Sequence, residues 1–363
     1  MYQAPLPEEY TRLSPDAARE RIIAAKKALG ERVVILGHHY QRDEIIEHAD
    51  YRGDSFKLAK DANRHPEAEF IVFCGVHFMA ESADILTPDH QKVILPNLAA
   101  GCSMADMANL FQVRNCWRQL TERFEAASIV PVTYINSAAN LKAFVGERDG
   151  TVCTSTNAPK AVEWALQHGE KVLFFPDQHL GRNSGVKLGY DPEADMVVGG
   201  PHQPLGGNTE EALREAKFIL WKGHCSVHKR FTVEQIRKAR AEHPGVKVIV
   251  HPECELEVVR AADLNGSTEF IINTVTAAQP GTTWAVGTEI NLVQRLAKEN
   301  PDKTVFCLDP MICPCSTMYR IHPSFLCWTL ENLVAGTPVN VIEVPLKVKH
   351  FAKLALDRML TLI

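Results

Sequence analysis

A chain of 363 residues, 45% apolar and 23% charged, has the balance of an ordinary globular protein and the length for two or three domains, which excludes disorder or a fibrous repeat as a reading of the whole. Its formal net charge of −5, with basic residues scattered and the densest run at Arg237–Arg240 read as the outer side of a helix, argues against a nucleic-acid binder, which gathers basic charge on one face. No stretch approaches the roughly 18 uninterrupted apolar residues of a membrane span, and Met1-Tyr2-Gln3-Ala4-Pro5 has no leader character, so a cytoplasmic protein with neither membrane nor nucleic-acid partners is expected.

In chain order, Ser14 as N-cap, Pro15 at the first helical position and Gly30 at the end predict an entry helix. Arg32-Val33-Val34-Ile35-Leu36 follows as a short continuous apolar run closing on Gly37-His38-His39-Tyr40. Similar runs stand at 70–74, 92–95, 129–133, 171–175, 216–221, 246–250, 269–273, 283–286 and 304–308. Such runs, alternating with helical stretches, predict parallel strands buried on both faces of an α/β sheet. Polar residues follow most of them: Asn136 and Ser137, Asp177 and His179, His224 to Ser226, His251 to Glu253, Asn273 and Thr274, Thr288 and Glu289. Ligands of open parallel sheets bind outside the carboxyl ends of the strands, so the chemistry is expected there.

The chain also divides into three similar segments, each opening on a strand with a polar loop and closing on a cysteine loop. They run from Gly37-His38-His39-Tyr40 to Gly101-Cys102-Ser103, from Thr133-Tyr134-Ile135-Asn136 to Gly223-His224-Cys225-Ser226, and from His251-Pro252-Glu253 to Cys313-Pro314-Cys315-Ser316. Middle loops are expected at Ala80-Glu81-Ser82, Asp177-Gln178-His179 and Gly287-Thr288-Glu289. The pattern predicts three small three-layer α/β/α domains with parallel sheets around a pseudo-threefold axis and a central active site. The expected boundaries are 1–112, 113–229 and 230–325, with 326–363 packing back on the body.

Of the ten cysteines, Cys74 and Cys307 sit inside apolar runs and read as core. Cysteines on three loops suit an iron–sulfur cluster with one open iron, and they also suit a zinc site. A zinc-dependent aldolase or hydrolase would draw on His38, His179 and His251. An iron–sulfur sensor would need an effector surface, and no basic stripe or paired recognition helix is evident.

Gly37-His38-His39-Tyr40-Gln41, Gly53-Asp54-Ser55, Tyr134-Ile135-Asn136-Ser137, Cys153-Thr154-Ser155-Thr156-Asn157-Ala158, Pro176-Asp177-Gln178-His179-Leu180-Gly181 and His251-Pro252-Glu253-Cys254, with Gly101-Cys102, His224-Cys225 and Cys315-Ser316-Thr317-Met318, resemble the quinolinate synthases in this order over nearly the whole chain. The resemblance implies condensation of iminoaspartate with dihydroxyacetone phosphate to quinolinate in NAD biosynthesis, with loss of phosphate and water. It also implies a [4Fe–4S] cluster on three cysteines whose open iron acts as a Lewis acid, and three α/β domains. The ligands it implies are Cys102, Cys225 and Cys315, the last chosen over Cys313 because Met318 follows as in the family. A transient contact with L-aspartate oxidase or aspartate dehydrogenase would spare the water-labile imine.

The resemblance places His38 and Tyr40 at the substrate and matches Thr268 to a substrate contact, while His39 reads as structural. Tyr134 and Asn136, and likewise His251 and Glu253, share one side of an extended segment and can face one cavity. Ser155 precedes a helix start at Asn157-Ala158-Pro159 whose amides suit an anion, and Ser55 serves similarly unless it is a plain N-cap. Glu253 is expected to be the main base, with a pKa raised by a dianionic substrate and a negatively charged cluster beside it. His251, His38 and Tyr40 are expected to assist it in moving protons.

Overall fold

The computed structural model describes residues 3–311 and 314–362. Among them, strands β1 (Val33–His38), β2 (Tyr51–Gly53), β3 (Phe70–Cys74) and β4 (Lys92–Ile94) form a first sheet. A second contains β5 (Ile129–Tyr134), β6 (Thr151–Cys153), β7 (Lys171–Phe175), β8 (Met196–Gly199) and β9 (Phe218–Trp221). The third contains β10 (Lys247–Val250), β11 (Leu264–Asn265), β12 (Thr283–Gly287) and β13 (Thr304–Cys307), and β14 (Val341–Ile342) joins the first sheet antiparallel to β4. All other pairings are parallel, with helices in the crossovers, which is the α/β class and three-layer arrangement expected from the sequence.

The three sheets share one strand order. Each runs second-first-third-fourth: β2-β1-β3-β4, β6-β5-β7-β9 and β11-β10-β12-β13, with β8 added beyond β9. In this doubly wound order the switch point lies between the first and third strands, where their carboxyl ends leave a crevice for ligand. The central strands are wholly buried, as runs such as Val33-Val34-Ile35-Leu36 require when helices cover both faces.

By contacts the chain separates into two compact units: Met1–Cys102 with Glu289–Arg295 and Cys313–Pro345, and Ser103–Thr288 with Leu296–Ile312 and Leu346–Ile363. In the first, the expected entry helix Pro15–Leu29 starts at Ser14, whose hydroxyl accepts from Ala17 N–H, and stops at Gly30 with φ 55°. Arg21 and Tyr10 both bond the carboxylate of Glu331, fastening this helix to Pro323–Val334. In the second unit the helix Leu346–Thr361 packs on Ala139–Gly146, where a side chain at Gly146 would collide with the Phe351 carbonyl.

Two sequence expectations fail. Residues 269–273 are not a strand but part of the helix Thr268–Ala277. Ser267 caps it, and Ile271 and Val275 are buried four residues apart while Phe270 is 43% exposed, which is a helical period that a short apolar run conceals. Ala80-Glu81-Ser82 is not a loop but lies inside the buried helix His77–Leu86, so the middle loop of the first segment is Gly75-Val76. The two- and three-residue strands β2, β6, β11 and β14 are too short to show a pattern in the sequence.

Candidate functional site

The strand registers place the candidate residues at equivalent stations. His38 ends β1, Tyr134 ends β5 and His251 follows β10 directly, so His38/Tyr40, Tyr134/Asn136 and His251/Glu253 are the same pair in three repeats. On the second strands His38 pairs Gly53 and Tyr134 pairs Cys153, while Val250 pairs Asn265 one residue before His251 and Gly266. Two residues beyond Gly53, Cys153 and Gly266 stand Ser55, Ser155 and Thr268, the three hydroxyls picked from the sequence. Beyond each fourth strand, Cys102, Cys225 and Cys315 are each followed by serine and open a single 3-10 turn three residues on, at Ala105–Met107, His228–Arg230 and Met318–Arg320. A helix N-cap follows in each case, at Asn109, Thr232 and His322.

The histidine turns fix their own tautomers. In the first unit Tyr40 N–H donates to His38 Nδ1 at 3.1 Å and Gln41 N–H to His38 O at 2.9 Å. The second unit repeats this turn: Glu253 N–H donates to His251 Nδ1 at 3.3 Å and Cys254 N–H to His251 O at 3.0 Å. A ring nitrogen that accepts carries no proton, so each neutral imidazole presents an Nε2–H.

Glu253 sits in a polar cluster inside the second unit. It is 2% exposed; His228 Nδ1 donates to its Oε2 at 2.6 Å, and the Tyr134 hydroxyl also donates to the carboxylate. His228 Nε2 meets Thr288 Oγ1 at 3.1 Å, and its ring stacks on His251 at 4.2 Å between centroids. Burial alone would push the Glu253 carboxyl up, but His228 beside it and the hydrogen bonds from His228 and Tyr134 outweigh it and hold the carboxyl below its ordinary range. The raised pKa expected from the sequence belongs to a site loaded with a dianionic substrate and a charged cluster; His228, which acts in the opposite direction, escaped that reading. Burial, with His228 beside it, lowers His251 to about 3 and keeps it neutral. Asp177, wholly buried at the end of β7, is pushed well above the carboxylate range by burial and by the charge of Glu253. The two neighbouring carboxyls are thus shifted in opposite directions.

The other candidates are less crowded. Asp54, not Ser55, caps the helix Ser55–Asp61 through Lys57 N–H at 2.9 Å, so Ser55 is not a plain N-cap. Ser155 lines a cavity of about 230 Å³ with Asn183, Lys187 and Asn265. The amides of Asn157 and Ala158 there are already bonded to Thr154 O, which removes them as anion donors. Asn136 Oδ1 is buried without a partner, an acceptor left for a ligand donor. Thr268 is buried in the first turn of its helix, behind the cap Ser267. His39 is held through its main chain, its N–H donating to Gly53 O and its carbonyl accepting from Arg295. Burial lowers His179 to about 4.

Thiol chemistry narrows the metal candidates. Burial pushes Cys74 and Cys327 up to about 12 and Cys153 and Cys254 well above the usual range, so these are neutral core thiols, and it pushes half-buried Cys116 up to about 11. Cys102, Cys225, Cys307 and Cys315 are half-buried, and Cys307 sits in β13 against the third sheet's core. Cys102 and Cys315 belong to the first unit and Cys225 to the second. Cys225 also has ligand atoms of His228 and Glu253 within 4.8 Å. Half-buried thiols on three equivalent loops fit a thiolate-bound group. Cys313, the alternative third ligand and the partner of a Cys313–Cys315 disulfide, lies outside the described residues. His228 escaped the sequence reading; comparing the third position after each cysteine, Ala105, His228 and Met318, would have singled it out.

The family profile described as Quinolinate synthetase A protein (NadA) matches residues 20–361. The chain is 61% identical over 361 residues to a quinolinate synthase of Corynebacterium glutamicum, covering 99% of this chain and 91% of that one. It is 59% identical to one of Streptomyces coelicolor, over 96% of this chain and 89% of that one. A quinolinate synthase of Geobacillus thermodenitrificans is 53% identical, over 98% and 96%. With the ordered motifs, the repeated stations and these matches over nearly its full length, the chain belongs to the quinolinate synthase family.

Proposed function

We propose that the chain is an iron–sulfur-dependent transferase that joins iminoaspartate to dihydroxyacetone phosphate and forms quinolinate, in the cytoplasm, for NAD biosynthesis. The observation that carries this is the buried, ionised Glu253 held by His228 and Tyr134, because joining two carbon skeletons needs a base for a proton on carbon. The enamine carbon of iminoaspartate forms the new carbon–carbon bond, phosphate leaves with its bonding pair, and the nitrogen closes onto the remaining carbonyl. Loss of water then gives the aromatic ring, with no net change in electron count.

Glu253 takes the proton from carbon; a dianionic substrate beside it would raise its affinity for that proton. His251 and His38, neutral with Nε2–H, donate to substrate oxygens, and Tyr40 assists in proton movement. Ser55, Tyr134, Asn136, Ser155 and Thr268 hold carboxylate and phosphate oxygens, a role supported by their equivalent stations. Cys102, Cys225 and Cys315 would hold a [4Fe–4S] cluster, which when bound supplies a Lewis-acidic iron with an open position. The shared Cys-Ser and 3-10 frame supports Cys315 as the third ligand. The common strand order supports three domains at 1–112, 113–229 and 230–325, with 326–363 as a C-terminal segment. A transient encounter with L-aspartate oxidase or aspartate dehydrogenase would deliver the imine. Among the described residues no helix is long and apolar enough to cross a membrane.

The donor trio Cys225, His228 and Glu253 favours one second reading, a zinc enzyme. Anaerobic purification with iron, sulfide and zinc analysis, beside a quinolinate assay on the same sample, decides between them. About four irons and four sulfides per chain with quinolinate formed supports the proposal. Stoichiometric zinc without quinolinate overturns it.

A further inference from the structure

Glu289 is a buried carboxylate in the first unit with no part in the chemistry described so far. It follows β12 and caps the helix Ile290–Glu299, its Oε2 accepting from Asn291 N–H at 2.8 Å and Leu292 N–H at 3.4 Å. Its other oxygen turns to a different loop: Oε1 accepts the backbone N–H of Cys315 at 3.1 Å and Asn291 Nδ2 at 2.9 Å. Asn291 Nδ2 also reaches Tyr40 O at 3.3 Å. One turn further along, buried Arg295 donates to His39 O at 2.9 Å, to Gln41 O at 2.5 Å and to Asp43 at 2.7 Å. The short segment 289–295 thus grips the His38–Gln41 turn and the Cys315 loop together. Gln41 Nε2 on Met318 Sδ at 3.6 Å and Arg42 Nη2 on Tyr319 O at 2.6 Å join those two loops directly.

The second repeat has the same device. Asp177, at the equivalent place after β7, caps the helix Gln178–Lys187 through Leu180 N–H at 2.7 Å. The backbone amide of Cys225, the cysteine of that repeat, lies close enough to stabilise its charged form. In the first repeat the place is taken by Val76, and the tie to the cysteine loop is main chain only, His77 N–H to Ala100 O at 2.8 Å.

We propose that Glu289 is a positioning residue that sets the Cys315 backbone against the turn carrying His38 and Tyr40, so that the ligand loop is ordered before any cluster binds. The functional part rests on reading Cys315 as a ligand. The ordering part does not.

Glu289→Asp separates positioning from capping. Aspartate caps helices well and keeps a carboxyl group, but it withdraws that group by one methylene from the Cys315 N–H that Glu289 Oε1 meets at 3.1 Å. Glu289→Gln keeps the length but only one of two acceptor oxygens, so it can serve the Cys315 N–H or the helix amides and not both. Thr209→Ala, which removes an unrelated cap on Glu210–Glu215, controls for plain loss of capping. In cluster-free protein, exchange of the Cys315 amide hydrogen is expected to quicken in Glu289→Asp, to quicken less in Glu289→Gln and to stay unchanged in Thr209→Ala. In reconstituted protein, iron loss to a chelator is expected to be about 10- to 100-fold faster in Glu289→Asp, the usual penalty for removing a partner that orients a ligand. Glu289→Gln should fall between Glu289→Asp and wild type. Unchanged Cys315 exchange overturns the ordering role, and wild-type iron retention in Glu289→Asp overturns its consequence for the metal. Wild-type protein that takes up no iron fails the ligand reading instead, while the exchange experiment still decides the positioning.

Discussion

Glu253→Gln tests the electrostatics of the site by the sign of a stability change. A base poised at a raised pKa is a strained anion, and replacing it with a neutral isostere relieves the fold. The geometry says the reverse: His228 at 2.6 Å and the Tyr134 hydroxyl together favour the anion over the pull of burial, so the carboxyl is held below its ordinary range. A hydrogen bond to a buried charged group contributes about 1.5–3 kcal/mol, and glutamine keeps an acceptor for His228, so about 3 kcal/mol is the upper part of the expected loss. Urea and thermal melts of cluster-free protein at neutral pH should therefore show Glu253→Gln less stable than wild type. With cluster and substrates present, turnover should fall by about 10²- to 10⁴-fold, the usual contribution of a positioned base, with binding retained. A variant more stable than wild type would refute the electrostatic argument, and near-normal turnover would remove Glu253 as the base.

Alanine at Cys102, Cys225 or Cys315 should abolish full cluster assembly, read as iron per chain after reconstitution; alanine at the neutral core thiols Cys74 or Cys327 should leave iron content intact while lowering the melting temperature. Glu331→Gln should cost about 1–2 kcal/mol, since Arg21 and Tyr10 both bond its partly exposed carboxylate. Arg21 chiefly depresses that carboxyl in the fold, against burial, so the stabilisation is complete above its ordinary pKa of 4.5 and is lost as pH falls through the depressed folded value. Melts of wild type and variant should converge in acid; a difference that persists there would refute the ion-pair account. Gly146→Ala should cost about 1–3 kcal/mol by overpacking, because the new methyl meets the Phe351 carbonyl, and proteolysis should then release the C-terminal helix first. A variant as protease-resistant as wild type would show that the helix does not depend on this contact.

The sheets were legible wherever a strand was long and buried on both faces: 70–74 and 171–175 match β3 and β7 to the residue. Phe270-Ile271-Ile272 misled because apolar, β-branched runs of that length suit a strand or a helix alike, and only the cap at Ser267 decides. Site residues that end strands could be read from alternation, as with His251 and Glu253. Their partner His228 could not be read that way, because it stands far away in sequence at the start of a 3-10 turn, and only comparison of the three cysteine loops marks it. The titration of Glu253 depends on it, since a carboxyl's pKa is set by what faces it across the fold.

The repeat offers a finer signal, since it separates what the architecture requires from what the chemistry adds. The cysteine followed by serine recurs in all three repeats, and so does a hydroxyl two residues past the station of Gly53, Cys153 and Gly266. Other stations diverge. Two residues beyond the first-strand station stand Tyr40, Asn136 and Glu253; at the third-strand cap stand Val76, Asp177 and Glu289; three past the cysteine stand Ala105, His228 and Met318. A carboxylate at the first of these and a histidine at the last each occur once, and those two side chains bond each other at 2.6 Å. The repeat thus separates stations that every copy shares from stations filled only once, and the two singular residues, Glu253 and His228, are bonded partners inside the second unit.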